Sequence, residues 1–414
     1  MLMLASAVSY IDRQALSVNA SLIRSEFGLS NADYSYLITA FLAAYTVSQI
    51  VSGHLVDRLG TRTALTVCAG CWSTVAVLHG AVTGFAGLAI CRFLLGVAEA
   101  GVVPGAIRGV AEWFPSRERS IATGLFAAGT PMGILIAAPL VAFVTLALGW
   151  RMAFVVTGLL GFVWLVPWLR LYYLPEAHPR IDGRELEAIL EGRAPATRAR
   201  AKSWVFQLLR RRQAWAIIVG RFMMDPVWWF YVFWLPAYLA DVRKLNLATI
   251  GEVAWIPFLT ATLGTLAGGW LSAFLLRRSG SLTIARHGVL FLGAAGTLLG
   301  IPAARASDTW VSLALISVVT FAIGAWSTTV VGLAADILPP AAVGSMSGLS
   351  GTGAALGGIV FTMLTGLLVD RFSYAPVFWM AALAPLIGFG VLLLLMGEIR
   401  QLDLAPEELR VTPA

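Results

Sequence analysis

Six ionisable residues sit inside stretches that are otherwise apolar: Asp12, Arg13, Arg92, Glu99, Arg221 and Asp225. A charge in hydrocarbon is costly unless it is paired or hydrated, so each of these is a candidate for function. Arg92 and Glu99 are seven residues apart. That is nearly two helical turns, so they share a face about 10 Å apart along the axis, too far to pair and well placed to line one cavity. Asp12 and Arg13 are adjacent and point in different directions. The expected arrangement pairs Asp12 with Arg92 across two helices and leaves Arg13 for the carboxylate of a ligand. A guanidinium suits that task because its planar fork meets a carboxylate with two parallel hydrogen bonds. Glu99 has no adjacent cation along its own helix, and burial disfavours a charged carboxylate, which makes it a candidate proton carrier. Protonation of Asp12 would release Arg92 for an anion, so that proton and anion favour each other's binding. The competing reading is a static ion-pair network that holds helices together. Arg221 and Asp225 stand at i and i+4 and can satisfy each other. A structural pair beside a break at Pro226 and a polar wall of the second half both remain open.

Aromatic and hydroxyl residues supply the second set of candidates. Trp228, Trp229 and Trp234 crowd one segment with Tyr231, and Trp255 and Trp326 are also mid-run. Such rings offer an apolar face for a sugar and a polar handle for its hydroxyls. Trp also marks membrane interfaces; Trp234 is read that way, whereas Trp228, Trp229 and Trp326 are read as substrate contacts. Tyr45 is mid-run and its hydroxyl needs a partner. Thr130, within Gly129-Thr-Pro131-Met-Gly133, can bond a substrate hydroxyl or its own helix carbonyl.

These residues need elements to hold them, and composition defines the elements. The chain has 414 residues, 58% hydrophobic and 12% charged, against about 25% charged in a soluble domain. The apolar stretches recur from end to end. A soluble enzyme with one anchor, a disordered chain and a small disulfide scaffold are therefore excluded. An outer-membrane barrel is disfavoured, because its strands alternate polar and apolar residues. A spanning helix needs about 20 mostly apolar residues. Twelve such runs are read, at 1–22, 34–57, 63–83, 87–113, 119–146, 150–174, 214–240, 250–276, 284–303, 309–334, 343–370 and 374–396. The first begins at Met1 without a basic flank and carries Asp12-Arg13 in its middle. That is wrong for a signal peptide, and a helix lacking its first turns is expected instead. The connector at 175–213, with Pro175, Pro179, Pro195 and many Arg, divides an N-terminal six-helix bundle (1–174) from a C-terminal one with a short tail (214–414).

The net charge of +7 is read as positive-inside bias and not as a nucleic-acid footprint. With both termini and the connector in the cytoplasm, only Arg24, Arg151, Arg243, Lys244, Arg305 and Arg371 of the loop cations face outward. Cys68 and Cys71 form a C-x-x-C in an apolar run and are read with Cys91 as small packing residues. Glycines such as Gly129 and Gly133, Gly264 and Gly268, and the cluster from Gly348 to Gly358 are spaced for close helix contact. No metal-protease helix motif, phosphate loop or nucleophile elbow occurs, and His54, His79, His178 and His287 have no ligand spacing. Neither an enzyme nor a metal or cofactor site is expected.

Gly53-His-Leu-Val-Asp57-Arg58-Leu-Gly60-Thr-Arg62 follows the second run. It resembles the G-x-x-x-D-R-x-G-R signature of the major facilitator superfamily. Gly53 would permit tight helix contact, and Asp57 would cap or pair across the two halves. The counterpart after the eighth run, Gly269-Trp-Leu-Ser-Ala273, lacks the acid. Tyr10-Ile-Asp12-Arg13-Gln14, Tyr45, Arg92-Phe-Leu-Leu-Gly-Val-Ala-Glu99 and Glu112-Trp113-Phe114-Pro115-Ser-Arg117-Glu118-Arg119 resemble the anion:cation symporter family. Asp225-Pro226-Val-Trp228-Trp229 and Trp255-Ile-Pro257 resemble its hexuronate-transporter branch. The resemblance implies an all-α integral membrane protein of the major facilitator fold, with 12 transmembrane helices in two six-helix bundles working by alternating access. It implies that Asp12 and Glu99 couple protons and that Arg13, Tyr45 and Arg92 bind an organic anion, most often a sugar acid. The expected partners are that anion, protons and membrane lipid. The expected setting is a monomer in a bacterial inner membrane. The alternative is a proton-coupled drug or metabolite antiporter of the same fold; two buried Arg in the first half favour an anionic ligand.

Overall fold

The computed structural model describes residues 1–115, 118–190 and 201–402. Arg117, Pro195 and the tail beyond Leu402 lie outside the described residues. Among those described, the structure is helical with no strand. Every one of the twelve apolar runs carries helix. Ten helices are long and apolar enough to cross a membrane. Among the described residues the first two runs are not counted in the ten, whose earliest is Val51–Ala81; the first run is Leu2–Val18 continued by Ala20–Phe27, broken at Asn19. The Asn19 side chain donates to the Ala15 carbonyl at 2.9 Å and accepts from the Thr145 hydroxyl at 2.9 Å. The second and third runs form one stretch, Asn31–Leu78, turned at Gly60, whose φ of 77° and ψ of 159° suit glycine.

Prolines make several of the remaining breaks legible. A proline has no N–H to give the carbonyl four residues before it. The fourth run divides into Phe85–Glu99 and Val102–Trp113, with Pro104 freeing the Ala100 carbonyl. The Ser52 hydroxyl donates to that carbonyl at 3.0 Å. The expected break at Pro226 does not occur, because Arg212–Asp241 is one continuous helix. Gly357 lies directly on the Phe222 carbonyl that Pro226 frees, so the eleventh run packs over the defect.

The described chain forms two compact units. The first comprises Met1–Thr197, Tyr231–Phe258 and Thr362–Arg371. The second comprises Arg198–Phe230, Leu259–Phe361 and Phe372–Ala414 as far as it is described. Within the first, Gly129 and Gly133 of helix Gly129–Leu148 rest on the backbone of Met3 and Ala7. Any side chain there would collide with main chain, and this brings the first and fifth runs together as small residues do in lipid.

Candidate functional site

The site is built on the first helix. Its Asp12, Arg13 and Gln14 are all buried, as are Arg92 and Glu99 on Phe85–Glu99. Arg13 Nε donates to Glu99 Oε2 at 2.5 Å, with the two side chains 2% and 0% exposed. The guanidinium is caged by aromatic rings: its central carbon lies 4.4 Å from the Tyr10 ring, 4.6 Å from Tyr45 and 5.0 Å from Phe41. Phe41 and Tyr45 stack on each other. Ring faces attract a cation, strongly so away from water. The cage holds Arg13 in place while the N–H groups not used by Glu99 remain available.

This differs from the pairing expected from sequence. Arg13 is not left free, and Asp12 and Arg92 do not hydrogen-bond each other. Both Asp12 carboxylate oxygens and all three Arg92 guanidinium nitrogens are buried without a hydrogen-bond partner, as is Glu99 Oε1. Arg92 lies within electrostatic range of Asp12, Glu99, Arg13 and Tyr34, and its guanidinium sits 5.0 Å above the Phe41 ring. Spacing along one helix put Arg92 and Glu99 on one face, and both are buried there. It was silent on which neighbour each would meet, because that depends on the rotation of the first helix against the fourth.

Thr130 is half-buried and bonds the Ser6 hydroxyl at 3.1 Å rather than its own helix carbonyl. That places a hydroxyl pair one turn from Tyr10. Trp234 is not interfacial: it is fully buried, edge-on to Tyr34 at 5.0 Å. In the second unit, Trp228 and Trp229 are half-exposed on the helix that carries Arg221 and Asp225. Trp326 is fully buried against Phe389 with its indole N–H unbonded.

The gating motif is only partly engaged. Asp57 is 77% exposed and reaches Arg108 of its own unit at 3.4 Å. Arg108 also bonds the Val56 carbonyl at 2.6 Å and Glu112 at 2.8 Å. Arg62 donates to the Leu169 carbonyl and covers the Tyr173 ring at 4.6 Å. Among the described residues no atom comes within 4 Å of where a side chain on Gly53 would begin, so the tight contact expected there is not made by them. Arg58 makes no ion pair among the described residues.

Sequence reading missed a group of contacts at the end of the first unit away from the chain's amino terminus. Ser17 donates to the Val232 carbonyl at 3.0 Å, and Tyr34 donates to the Phe233 carbonyl at 2.8 Å. Val232 lies four residues before Pro236, so its carbonyl lacks a helical donor. Arg24 grips Asp241 at 2.8 and 2.6 Å. Asp370 accepts from the backbone N–H of Asn31 at 2.9 Å and of Ala32 at 2.7 Å. Ser30 and Asp33 already form a capping box there, so Asp370 satisfies the remaining orphan donors of that helix end. The capping box is visible in the sequence; its partner 339 positions away is not. Beside this group, the Arg151 ion pair and the Trp150 indole N–H hold the Glu26 carboxyl below its usual range.

Apolar spans that enclose a buried arginine–carboxylate pair define a polytopic membrane protein with a polar site inside its helices. The chain belongs to the major facilitator superfamily, whose family model matches residues 2–329. It is 32% identical over 407 residues to the hexuronate transporter of Escherichia coli strain K12, covering 98% of this chain and 94% of that one. It is 34% identical over 294 residues to the galacturonate transporter of Dickeya chrysanthemi, covering 70% of this chain and 85% of the relative. Its fold also matches the crystal structure of a D-xylose-proton symporter, with a TM-score of 0.71 or better shared by other solved transporters and 0.74 for this one; the identity is 15%, covering 96% of this chain and 97% of that one.

Proposed function

We propose that this protein imports a hexuronate or related sugar acid together with protons, by alternating access of bundles 1–174 and 214–414 about the connector 175–213. The observation that carries the reading is the buried Arg13–Glu99 pair beneath its aromatic cage. A substrate carboxylate and Glu99 compete for one guanidinium. Protonation of Glu99 abolishes its charge and weakens its hold, which frees Arg13 for the anion. Loss of that proton on the far side restores the competitor and expels the anion. Asp12 and Arg92 act as the second acid–base couple: Asp12 takes up a proton, and Arg92 stabilises the incoming negative charge. Tyr45 and Thr130 bond substrate hydroxyls, and Trp228, Trp229 and Trp326 offer apolar faces. Gly53, Asp57, Arg58, Gly60 and Arg62 act in gating. The relatives' sugar-acid substrates support the ligand class. The distribution of loop cations supports an inner-membrane setting with both termini in the cytoplasm, and the protein works as a monomer.

The test is Glu99→Gln in proteoliposomes. The expected result is loss of accumulation driven by a proton gradient, with counterflow of labelled glucuronate retained. Unchanged gradient-driven accumulation would remove Glu99 from coupling.

A further inference from the structure

Arg221 is the one intramembrane cation of the second unit that sequence reading left open between structure and function. Its geometry resolves what it can offer a ligand. Nε and Nη2 both bond Asp225 Oδ2, at 2.9 and 2.8 Å, and Nη1 bonds the Ser350 hydroxyl at 3.1 Å. Three of its five N–H donors are thus used, leaving one on each Nη, and Gly351 lies beside Nη1 at 3.9 Å where a side chain would begin. Arg221 is thus anchored through each of its nitrogens. Asp225 is different. Both bonds from Arg221 land on Oδ2, its Oδ1 takes no hydrogen bond among the described residues, and the side chain stays 14% exposed. One oxygen of the arginine-paired carboxylate is thus left without a hydrogen bond among the described residues.

Three and four residues further along the same helix stand Trp228 and Trp229, both half-exposed. Positions i, i+3 and i+4 lie on one face. Trp229 is steadied by Gly358, where a side chain would begin 3.2 Å from its ring. A carboxylate acceptor on the same helix face as an indole ring is the chemistry that recognises a polyol: hydroxyls donate to the carboxylate, and the C–H face of the sugar lies on the ring.

We infer that Asp225, oriented by Arg221 and Ser350, forms with Trp229 a subsite that reads the hydroxyls of a polyhydroxy acid. The inference rests on the sugar-acid reading above and adds a specificity element to it. Arg221 and Ser350 are positioning residues; Asp225 and Trp229 touch the ligand. An ordinary i, i+4 helix pair would contribute to stability and leave ligand preference untouched.

The experiment compares purified wild-type protein with Arg221→Gln/Asp225→Asn, which replaces the charged pair by a neutral hydrogen-bonding one, and with Asp225→Glu, which keeps the charge and displaces it. The dissociation constants of glucuronate and galacturonate are measured, with cyclohexanecarboxylate as a ring acid without hydroxyls. The double variant is expected to bind both sugar acids about tenfold or more weakly, as for loss of a hydrogen bond to a charged group, with cyclohexanecarboxylate unchanged. Asp225→Glu is expected to change the glucuronate-to-galacturonate ratio. Unchanged sugar-acid affinity in the double variant, with or without a lower melting temperature, would overturn the subsite, as would an unchanged ratio in Asp225→Glu. Failure of the wild type to bind any sugar acid would instead overturn the transport reading and the subsite with it.

Discussion

Arg13 carries two demands that only a guanidinium meets together. It must lie flat among Tyr10, Phe41 and Tyr45 and still present N–H groups to a carboxylate. Lysine keeps the charge and loses the fork and the stacking. Arg13→Lys is therefore expected to lower sugar-acid affinity by roughly tenfold to a hundredfold, taking bidentate carboxylate bonds at about 1.5–3 kcal/mol; the affinity of the purified variant checks this. The residues of the candidate site were legible because charge is so scarce in this chain. An ionisable group inside an apolar run stands out, and Asp12, Arg13, Arg92 and Glu99 were all found in that way. Their pairing was not legible. It follows from the rotation and spacing of two helices in contact, and nothing along one helix encodes that. Tyr10 and Phe41 were passed over for a related reason: an aromatic residue in an apolar run looks like packing until the cation beneath it is seen.

Helix ends and proline-freed carbonyls were the least legible features at the scale of elements. Ser52 on Ala100 and Ser17 on Val232 follow one rule, a serine from another helix supplying the donor that a proline removes. A proline announces the orphan carbonyl in the sequence, but not the side chain that answers it. Ser17→Ala and Tyr34→Phe each delete a buried neutral hydrogen bond and are expected to destabilise the packing of Tyr231–Phe258 on the first unit by about 1 kcal/mol. The expected readout is faster backbone hydrogen exchange over 231–241 in both variants, with exchange in 129–148 unchanged. Asp370→Asn removes a carboxylate from a helix N-terminus and is expected to cost about 0.3–1 kcal/mol, visible as a lower melting temperature. The Glu26 contact has its own pH signature. Its folded carboxyl lies below the ordinary value, so its contribution is full above that value and is lost as pH falls through the lowered one. Glu26→Gln should accordingly narrow the melting-temperature difference from wild type as the solution is acidified.

The whole molecule was legible in outline from composition and periodicity. Low charge from end to end required many spans, and the twelve apolar runs all carry helix. The grouping of those helices was harder to foresee. Tyr231–Phe258 and Thr362–Arg371, from the second half of the chain, pack with the first unit. They do so through Asp241, Asp370 and two backbone carbonyls, contacts between residues hundreds of positions apart. The central claim, that a sugar acid moves with protons, is tested most directly by uptake of labelled glucuronate and galacturonate into proteoliposomes holding the purified protein. With a proton gradient directed inward, accumulation above the external concentration, collapsed by a protonophore while counterflow persists, is the predicted result. Accumulation indifferent to the protonophore, or no uptake of either acid, would contradict it.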